Sequence, residues 1–354
     1  MIKTEYNIIG VMSGTSLDGI DLVYVTFRKQ KNWTFVLLKA QTFEYNDLWR
    51  EKLGSLVSMS VKDLKKIDND YTHYLANVIN DFIETNNIQA IDAICSHGHT
   101  ALHQPQNKLT YQIGNKPAIA HLTKNTVVCD FRVQDVELGG QGAPLVPIGD
   151  ELLFSNYDFC LNLGGFANIS TNIDGERIAY DICPVNIVLN HYIKPLGLNY
   201  DDKGVLASKG TINESLLIKL NDLDFYKASY PKSLGLEWVK THVFPIIDSY
   251  HLETKDILNT FVEHIAIQIS KEINKKNNTS VYITGGGVYN EFLIRSLKKH
   301  TNNDIIIPSK DIIEFKEALI FGFLGVLRLR NEVNILKSVT GVIKNHCSGK
   351  VFHS

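Results

Sequence analysis

Residues 10–19 read GVMSGTSLDG and residues 285–290 read GGGVYN. Small residues let backbone amides approach an anion closely, and the hydroxyls of Ser13, Thr15 and Ser16 add donors. Asp18 and Asp21 bring carboxylates to the same stretch, and a carboxylate beside phosphates suits a hydrated magnesium ion. The first segment lacks the Gly-Lys-Ser/Thr ending of a Walker loop and the G-x-G-x-x-G of a dinucleotide fingerprint. A tight hairpin turn that needs glycine only for geometry explains it equally well. Gly285, Gly286 and Gly287 fall between an expected strand and an expected helix, where a flat ligand or a phosphate finds room at a helix N-terminus. The bland alternative there is a close strand–helix packing turn.

Other polar groups stand at expected strand ends. Residues 130–135, DFRVQD, place Asp130, Arg132 and Asp135 just past an apolar run and just before the glycine-rich 138–147. Arginine clamps a carboxylate at two points, and aspartate accepts hydrogen bonds from sugar hydroxyls. A surface ion pair of little worth is the competing reading. Asp181 precedes a helix-like run at 182–192 with Pro184 in its first turn, so by spacing alone it reads as an N-cap. A catalytic base needs a carboxylate held at a mouth. Residues 96–103, SHGHTALH, hold three histidines, yet Gly98 breaks a helix and no acidic cluster accompanies them. A loop lining a sugar or nucleotide, through His97 and Gly98, is favoured over a zinc site. No G-x-S-x-G elbow supports a serine nucleophile.

The elements that must position these groups alternate. Strands are expected at 7–12, 20–27, 34–43, 90–96, 126–131, 159–163, 167–171, 280–284 and 304–307. Helices are expected at 61–85, where Leu64, Ile67, Tyr71, Leu75, Val78 and Phe82 make one stripe, and at 254–275, 289–300 and 311–330. Strand, glycine turn, strand occurs near residue 13 and again at Gly164-Gly165, with Asn168 just beyond. This weak internal symmetry fits an α/β, two-lobed actin/hexokinase-like fold with duplicated mixed sheets, in which one hairpin from each lobe embraces a nucleotide's phosphates. The lobes are expected at 1–130 and 131–354, with the last long helix returning to the first. The 354 residues are 44% hydrophobic and 21% charged, with a net charge of −2, so nucleic acid and anionic membrane are poor partners. Five cysteines, Cys95, Cys129, Cys160, Cys183 and Cys347, show neither C-x-x-C spacing nor an even count, against a disulfide framework. Residues 1–6 lack the basic start and apolar core of a leader, so the chain is expected in the cytoplasm.

These segments together resemble the anhydro-N-acetylmuramic acid kinases from end to end. The blocks are GVMSGTSLDGID at 10–21, Ser96-His97-Gly98, Gln112-Ile113-Gly114, the Asp130–Arg132–Asp135 block with GGQGAPLVP at 139–147, Asn162-Leu163-Gly164-Gly165 with Asn168, Gly285-Gly286-Gly287 with Asn290, Glu317-Ala318, and Thr340-Gly341. The resemblance implies transfer of the γ-phosphoryl of ATP to O6 of 1,6-anhydro-N-acetylmuramic acid while water opens the anhydro bridge at C1. The product is N-acetylmuramic acid 6-phosphate, an intermediate of cell-wall recycling. It implies that Asp181 is the base that takes a proton from water. Residues 13–21 (Ser13, Gly14, Thr15, Ser16, Leu17, Asp18, Gly19, Ile20 and Asp21) cradle the phosphates, with Asp18 on the magnesium side. Gly164, Gly165, Asn168, Gly285, Gly286, Gly287 and Asn290 complete the ATP side. His97, Gly98, Asp130, Arg132, Asp135 and Asn186 line the amino sugar, with Arg132 on its lactyl carboxylate. The resemblance also implies a homodimer, and closure of the lobes against bulk water.

The sequence departs from the family's pattern at six positions in three segments. Asp-Thr-Gly-Pro-Gly-Asn becomes Asp181-Ile182-Cys183-Pro184-Val185-Asn186, Ser-His-Gly-Gln-Thr acquires His99, and Lys-Ser-Thr-Gly-Arg-Glu becomes Lys232-Ser233-Leu234-Gly235-Leu236-Glu237. Leu236 cannot imitate an arginine's anion fork. Two other readings stay open: a kinase for a related amino sugar or sugar acid, and a nucleotide-binding regulatory module.

Overall fold

Apolar residues at every position from Leu22 to Phe27 except Thr26 make a strand buried on both faces, and this strand organises the first sheet. The structure, a computed structural model, describes residues 3–354; the first two residues of the N-terminus expected to lack a leader lie outside them. Six strands arise before residue 130: β1 (Glu5–Ser13), β2 (Gly19–Lys29), β3 (Trp33–Glu44), β4 (Ala93–Gln104), β5 (Leu109–Ile113) and β6 (Val127–Cys129). Then come β7 (Phe159–Leu163), β8 (Phe166–Ile173), β9 (Glu176–Pro184), β10 (Ser280–Thr284), β11 (Asp304–Ile306) and β12 (Lys350–Phe352).

They form two mixed sheets, ordered β12-β6-β4-β1-β2-β3, with β5 on β4, and β11-β10-β7-β8-β9. In the first, β1–β2–β3 is an antiparallel meander, and β4 and β6 run parallel to β1. The second repeats the plan: β7–β8–β9 is antiparallel, with β10 and β11 parallel to β7. The duplication expected from the glycine turns is therefore a duplication of whole sheets.

The chain divides into two compact units, residues 1–154 with 315–354, and residues 155–314. The first break lies beyond the 130/131 division expected from sequence, because the helix Pro147–Leu153 belongs with the first unit. The C-terminal residues from Phe315, most of the helix Lys310–Leu329 among them, are also part of the first unit.

In the first unit the helix Val61–Thr85 begins at Ser60, whose side chain accepts from the Asp63 N–H. Its stripe of Leu64, Tyr71, Leu75, Val78 and Phe82 is buried, each full side chain contributing about 1.5–3 kcal/mol. Gly10 lets the helix Lys310–Leu329 lie against β1, since a Cβ there would sit 2.1 Å from the Ala318 carbonyl oxygen. In the second unit the helix Thr254–Ile273 buries Ile257, Phe261, Ile265 and Ile269 in the core beside β7–β10.

Two local expectations need correction. Residues 96–103 are no loop: β4 continues to Gln104, because Gly98 takes φ 73° and the strand finds a partner in β5. Asp181 does not cap a helix: it lies inside β9, and the next helix, Asn186–Ile193, starts after Val185 with no side-chain cap. The helix expected at 289–300 is present as Glu291–Lys299, preceded by a 3-10 turn, Gly286–Tyr289. All five cysteines are free thiols. Among the described residues no helix is long and apolar enough to cross a membrane.

Candidate active site

The β1–β2 turn leaves Thr15, Ser16 and Asp18 exposed at its tip. The Leu17 N–H reaches back to the Gly14 carbonyl at 3.4 Å, and Leu17 adopts φ 62°. A Cβ on Gly14 would meet only Ser16, at 3.5 Å. Packing within the protein therefore does not demand glycine there, whereas Gly19 is pressed against the Phe43 carbonyl. Ile20 is buried, and Asp21 accepts from Thr42 Oγ1 at 2.6 Å.

Beside this hairpin, β4 and the segment after β6 build a dense polar network. Arg132 Nε donates to His97 Nε2 at 2.8 Å and its Nη1 to the Gly142 carbonyl at 2.6 Å. His97 Nδ1 lies 2.9 Å from the Gly98 carbonyl, so the ring is neutral, with Nδ1 the donor. Burial, and then the Arg132 charge, hold its pKa well below the usual range. Desolvation likewise brings Arg132 down to about 10, against the pull of Glu317 and Asp135. No acceptor among the described residues reaches Arg132 Nη2. Asp135 is fully buried; it accepts from the Gly142 N–H at 2.7 Å and from Thr340 Oγ1 at 2.9 Å. Gly140 is obligatory beside it, since a Cβ would lie 2.2 Å from Asp135 Oδ2. Asp130, at φ 61°, pairs with Lys350 at 2.6 Å. The sequence blocks 130–135 and 139–147 thus form one structure, with Asp135 holding the loop and Arg132 offering the free end of its fork.

In the second unit the Gly164-Gly165 turn is stapled to the segment after β9. The Gly165 carbonyl accepts from the N–H groups of Val185 and Ile187, at 2.8 and 3.3 Å, and the Gly164 carbonyl from that of Asn186 at 3.3 Å. The Gly164 N–H is itself taken by the Phe166 carbonyl. Asp181 stands opposite Asn168 across β8–β9. Its backbone N–H binds the Lys232 carbonyl, and its Oδ2 accepts one bond, from the Leu234 N–H at 2.8 Å. Burial raises its pKa, which that single bond only partly opposes.

The three glycines after β10 differ from one another. A Cβ on Gly285 would strike Asn162 at 2.5 Å, one on Gly287 would strike Leu163 at 2.8 Å, and one on Gly286 would meet nothing within 4 Å. Gly286 opens onto a cavity of about 790 Å³ lined also by Asn186, Tyr200, Lys203, Tyr289 and Asn290. That volume lies within the range of small-molecule sites, about 300–1,000 Å³. Asn290 also caps the helix Glu291–Lys299, accepting from the Leu293 N–H. Asn186, expected on the sugar side, lines this cavity with Gly286. Tyr200 and Lys203 escaped the sequence reading; an exposed tyrosine in the polar turn 199–204 was the available signal.

The family model for anhydro-N-acetylmuramic acid kinase matches residues 6–354. The chain belongs to this family. The anhydro-N-acetylmuramic acid kinase of Sulfurovum sp. (strain NBC37-1) is 33% identical over 370 residues, covering 99% of this chain and 100% of its own. That of Haemophilus influenzae is 31% identical over 381 residues, covering 99% and 98%. Among solved structures, the activator of the 2-hydroxyisocaproyl-CoA dehydratase from Clostridium difficile, with bound ADPNP, covers 92% of this chain and 97% of its own, at a TM-score of 0.45 and 13% identity.

Placed in this kinase fold, the six departures separate. Ile182, Cys183 and Val185 are 1%, 0% and 0% exposed and belong to the core of the second unit. His99 is buried on Ser13. Leu234 is half-buried, and Leu236 alone is exposed, at the start of a short helix, Leu236–Trp238.

Proposed function

We propose that this chain is an ATP-dependent kinase of 1,6-anhydro-N-acetylmuramic acid. The observation that carries the reading is the Asp181 carboxylate, desolvated and held by one backbone N–H, in a chain matched to the family over nearly its whole length. Asp181 takes a proton from water and the resulting oxygen bonds to C1 of the sugar. The C1–O6 bond breaks, O6 bonds to the γ-phosphorus of ATP, and the bond from that phosphorus to the bridging oxygen breaks to release ADP. One water, one ATP and one anhydro sugar give one ADP and one N-acetylmuramic acid 6-phosphate.

Phosphoryl transfer asks mainly for positioning and charge stabilisation. The exposed hydroxyls of Thr15 and Ser16, with the uncrowded Gly14, suit the phosphates. The cavity at Gly286 suits the adenosine, with Asn186, Tyr200 and Asn290 against it. Bound magnesium would neutralise charge on the β- and γ-phosphates, and exposed Asp18 is the carboxylate to hold it. Among the described residues no group of three or more His, Cys, Asp or Glu gathers for a metal. A single carboxylate fits an ion that keeps its waters and takes most other ligands from phosphate. The free Nη2 of Arg132 suits the lactyl carboxylate, with His97, Gly98, Asp130 and Asp135 supporting that wall. ATP use accords with the cytoplasm expected above, and a homodimer remains part of the reading. ADP release that depends on added anhydro sugar, followed in a coupled assay, supports the function; sugar-independent ADP release counts against it.

A further inference from the structure

Ser13 ends β1, one residue before the turn, and its hydroxyl sits in a buried knot. Ser13 Oγ lies 2.6 Å from Tyr45 Oη, 2.8 Å from His99 Nδ1 and 2.9 Å from Tyr71 Oη, and the two phenols are 2.7 Å apart. Each of the four side chains is 1% exposed or less. Four hydrogen bonds need four protons, and three hydroxyls carry only three. The fourth must come from His99. With Nδ1–H donating to Ser13, Ser13 donates to Tyr45, Tyr45 to Tyr71, and Tyr71 back to Ser13. Ser13 Oγ then uses its one proton and both lone pairs. With Nδ1 as acceptor, one pair of oxygens in the ring would face each other without a proton, a costly arrangement in a buried site.

The charge states agree with this count. Burial pushes Tyr45 up to about 12 and Tyr71 well above the usual phenol range, so both keep their protons. Burial brings His99 down to about 4, so it carries one ring proton near neutrality. A neutral ring with Nδ1–H has a bare Nε2, and no donor among the described residues reaches it. That bare nitrogen keeps an acceptor lone pair for a donor outside the protein.

We propose that the Ser13–Tyr45–Tyr71 ring locks His99 in its Nδ1–H tautomer, so that Nε2 accepts a hydroxyl or amide hydrogen of the sugar bound beside the β1–β2 turn. The identity of that sugar rests on the function proposed above; the tautomer does not. This explains the departure at His99. The glutamine of the family's pattern carries one donor group and one acceptor, and histidine in this tautomer reproduces both, with donor toward Ser13 and acceptor toward the ligand.

Nitrogen-15 NMR of histidine-labelled protein reads the tautomer directly, with His99→Gln identifying the resonances. In ligand-free wild type at neutral pH, His99 Nδ1 is protonated and Nε2 bare. Tyr45→Phe leaves two contacts, Ser13–Tyr71 and Ser13–His99, with protons to spare, so the Nε2–H form becomes populated. Saturating 1,6-anhydro-N-acetylmuramic acid moves the Nε2 resonance toward the hydrogen-bonded range without changing the tautomer. In kinetics, His99→Gln keeps the sugar KM within about threefold, and His99→Leu raises it about tenfold with kcat little changed. Wild type with Nε2–H overturns the lock, whatever the substrate. Sugar bound by calorimetry with Nε2 unmoved overturns the acceptor role. Absence of sugar binding overturns the ligand together with the proposed function, and leaves the tautomer to be judged from the free protein.

Discussion

The two sheets share one plan, β3-β2-β1-β4-β6 in the first unit and β9-β8-β7-β10-β11 in the second, yet their polar groups are used differently. In the first, Asp135, His97 and Ser13 are buried with their hydrogen-bonding partners, and Arg132 has two of its nitrogens engaged. In the second, the Asp181 carboxylate has one N–H partner and a raised pKa. A satisfied buried network fixes geometry and resists protonation changes. A desolvated, under-bonded carboxylate is a stronger base. On the proposed function, the first unit positions and the second transfers the proton.

Asp181→Asn should break the contrast most sharply. The amide keeps the shape but cannot take a proton, and kcat falls by about 10²–10⁴-fold with the thermal midpoint little changed. In wild type, protonation of Asp181 removes the base, so kcat/KM declines as pH falls. Because burial raises this pKa, the decline begins at higher pH than an ordinary aspartate would give, and a pH profile checks it.

Asp135→Ala should do the reverse, acting on stability before chemistry. It strands the Gly142 N–H in a buried site and leaves the Thr340 hydroxyl only the Leu336 carbonyl at 3.4 Å, at a cost of about 3 kcal/mol in denaturant unfolding. A loss within experimental error would refute the positioning role. Arg132→Lys should raise the sugar KM about tenfold or more, since a lysine cannot hold His97 and Gly142 and still present a fork. The smallest effect separates two adjacent glycines. Gly286→Ala leaves stability within about 0.5 kcal/mol and raises the KM for ATP, because its Cβ enters the cavity. Gly287→Ala lowers stability by meeting Leu163.

Much of this was legible in the sequence where local rules act. The stripe of 61–85 defined a helix to its ends, and both glycine turns proved to be hairpins. The features that escaped depend on distant partners. β9 holds Asp181 in a strand because β8 pairs with it, a pairing no local propensity reveals. β4 passes through Gly98 because β5 supplies a ladder. Asp135 meets Thr340 across 205 residues, and Tyr45 and Tyr71 read as ordinary core aromatics until their hydroxyls are seen to close on Ser13. The family's blocks could be matched residue by residue, but not the burial that makes Ile182, Cys183 and Val185 matters of core packing.

The most direct test incubates the protein with ATP, magnesium and either 1,6-anhydro-N-acetylmuramic acid or free N-acetylmuramic acid, with Asp181→Asn alongside, and identifies products by mass spectrometry. The account predicts N-acetylmuramic acid 6-phosphate from the anhydro sugar, one per ADP, and its loss in the variant. Phosphorylation of the free sugar alone, or undiminished product from Asp181→Asn, would contradict it.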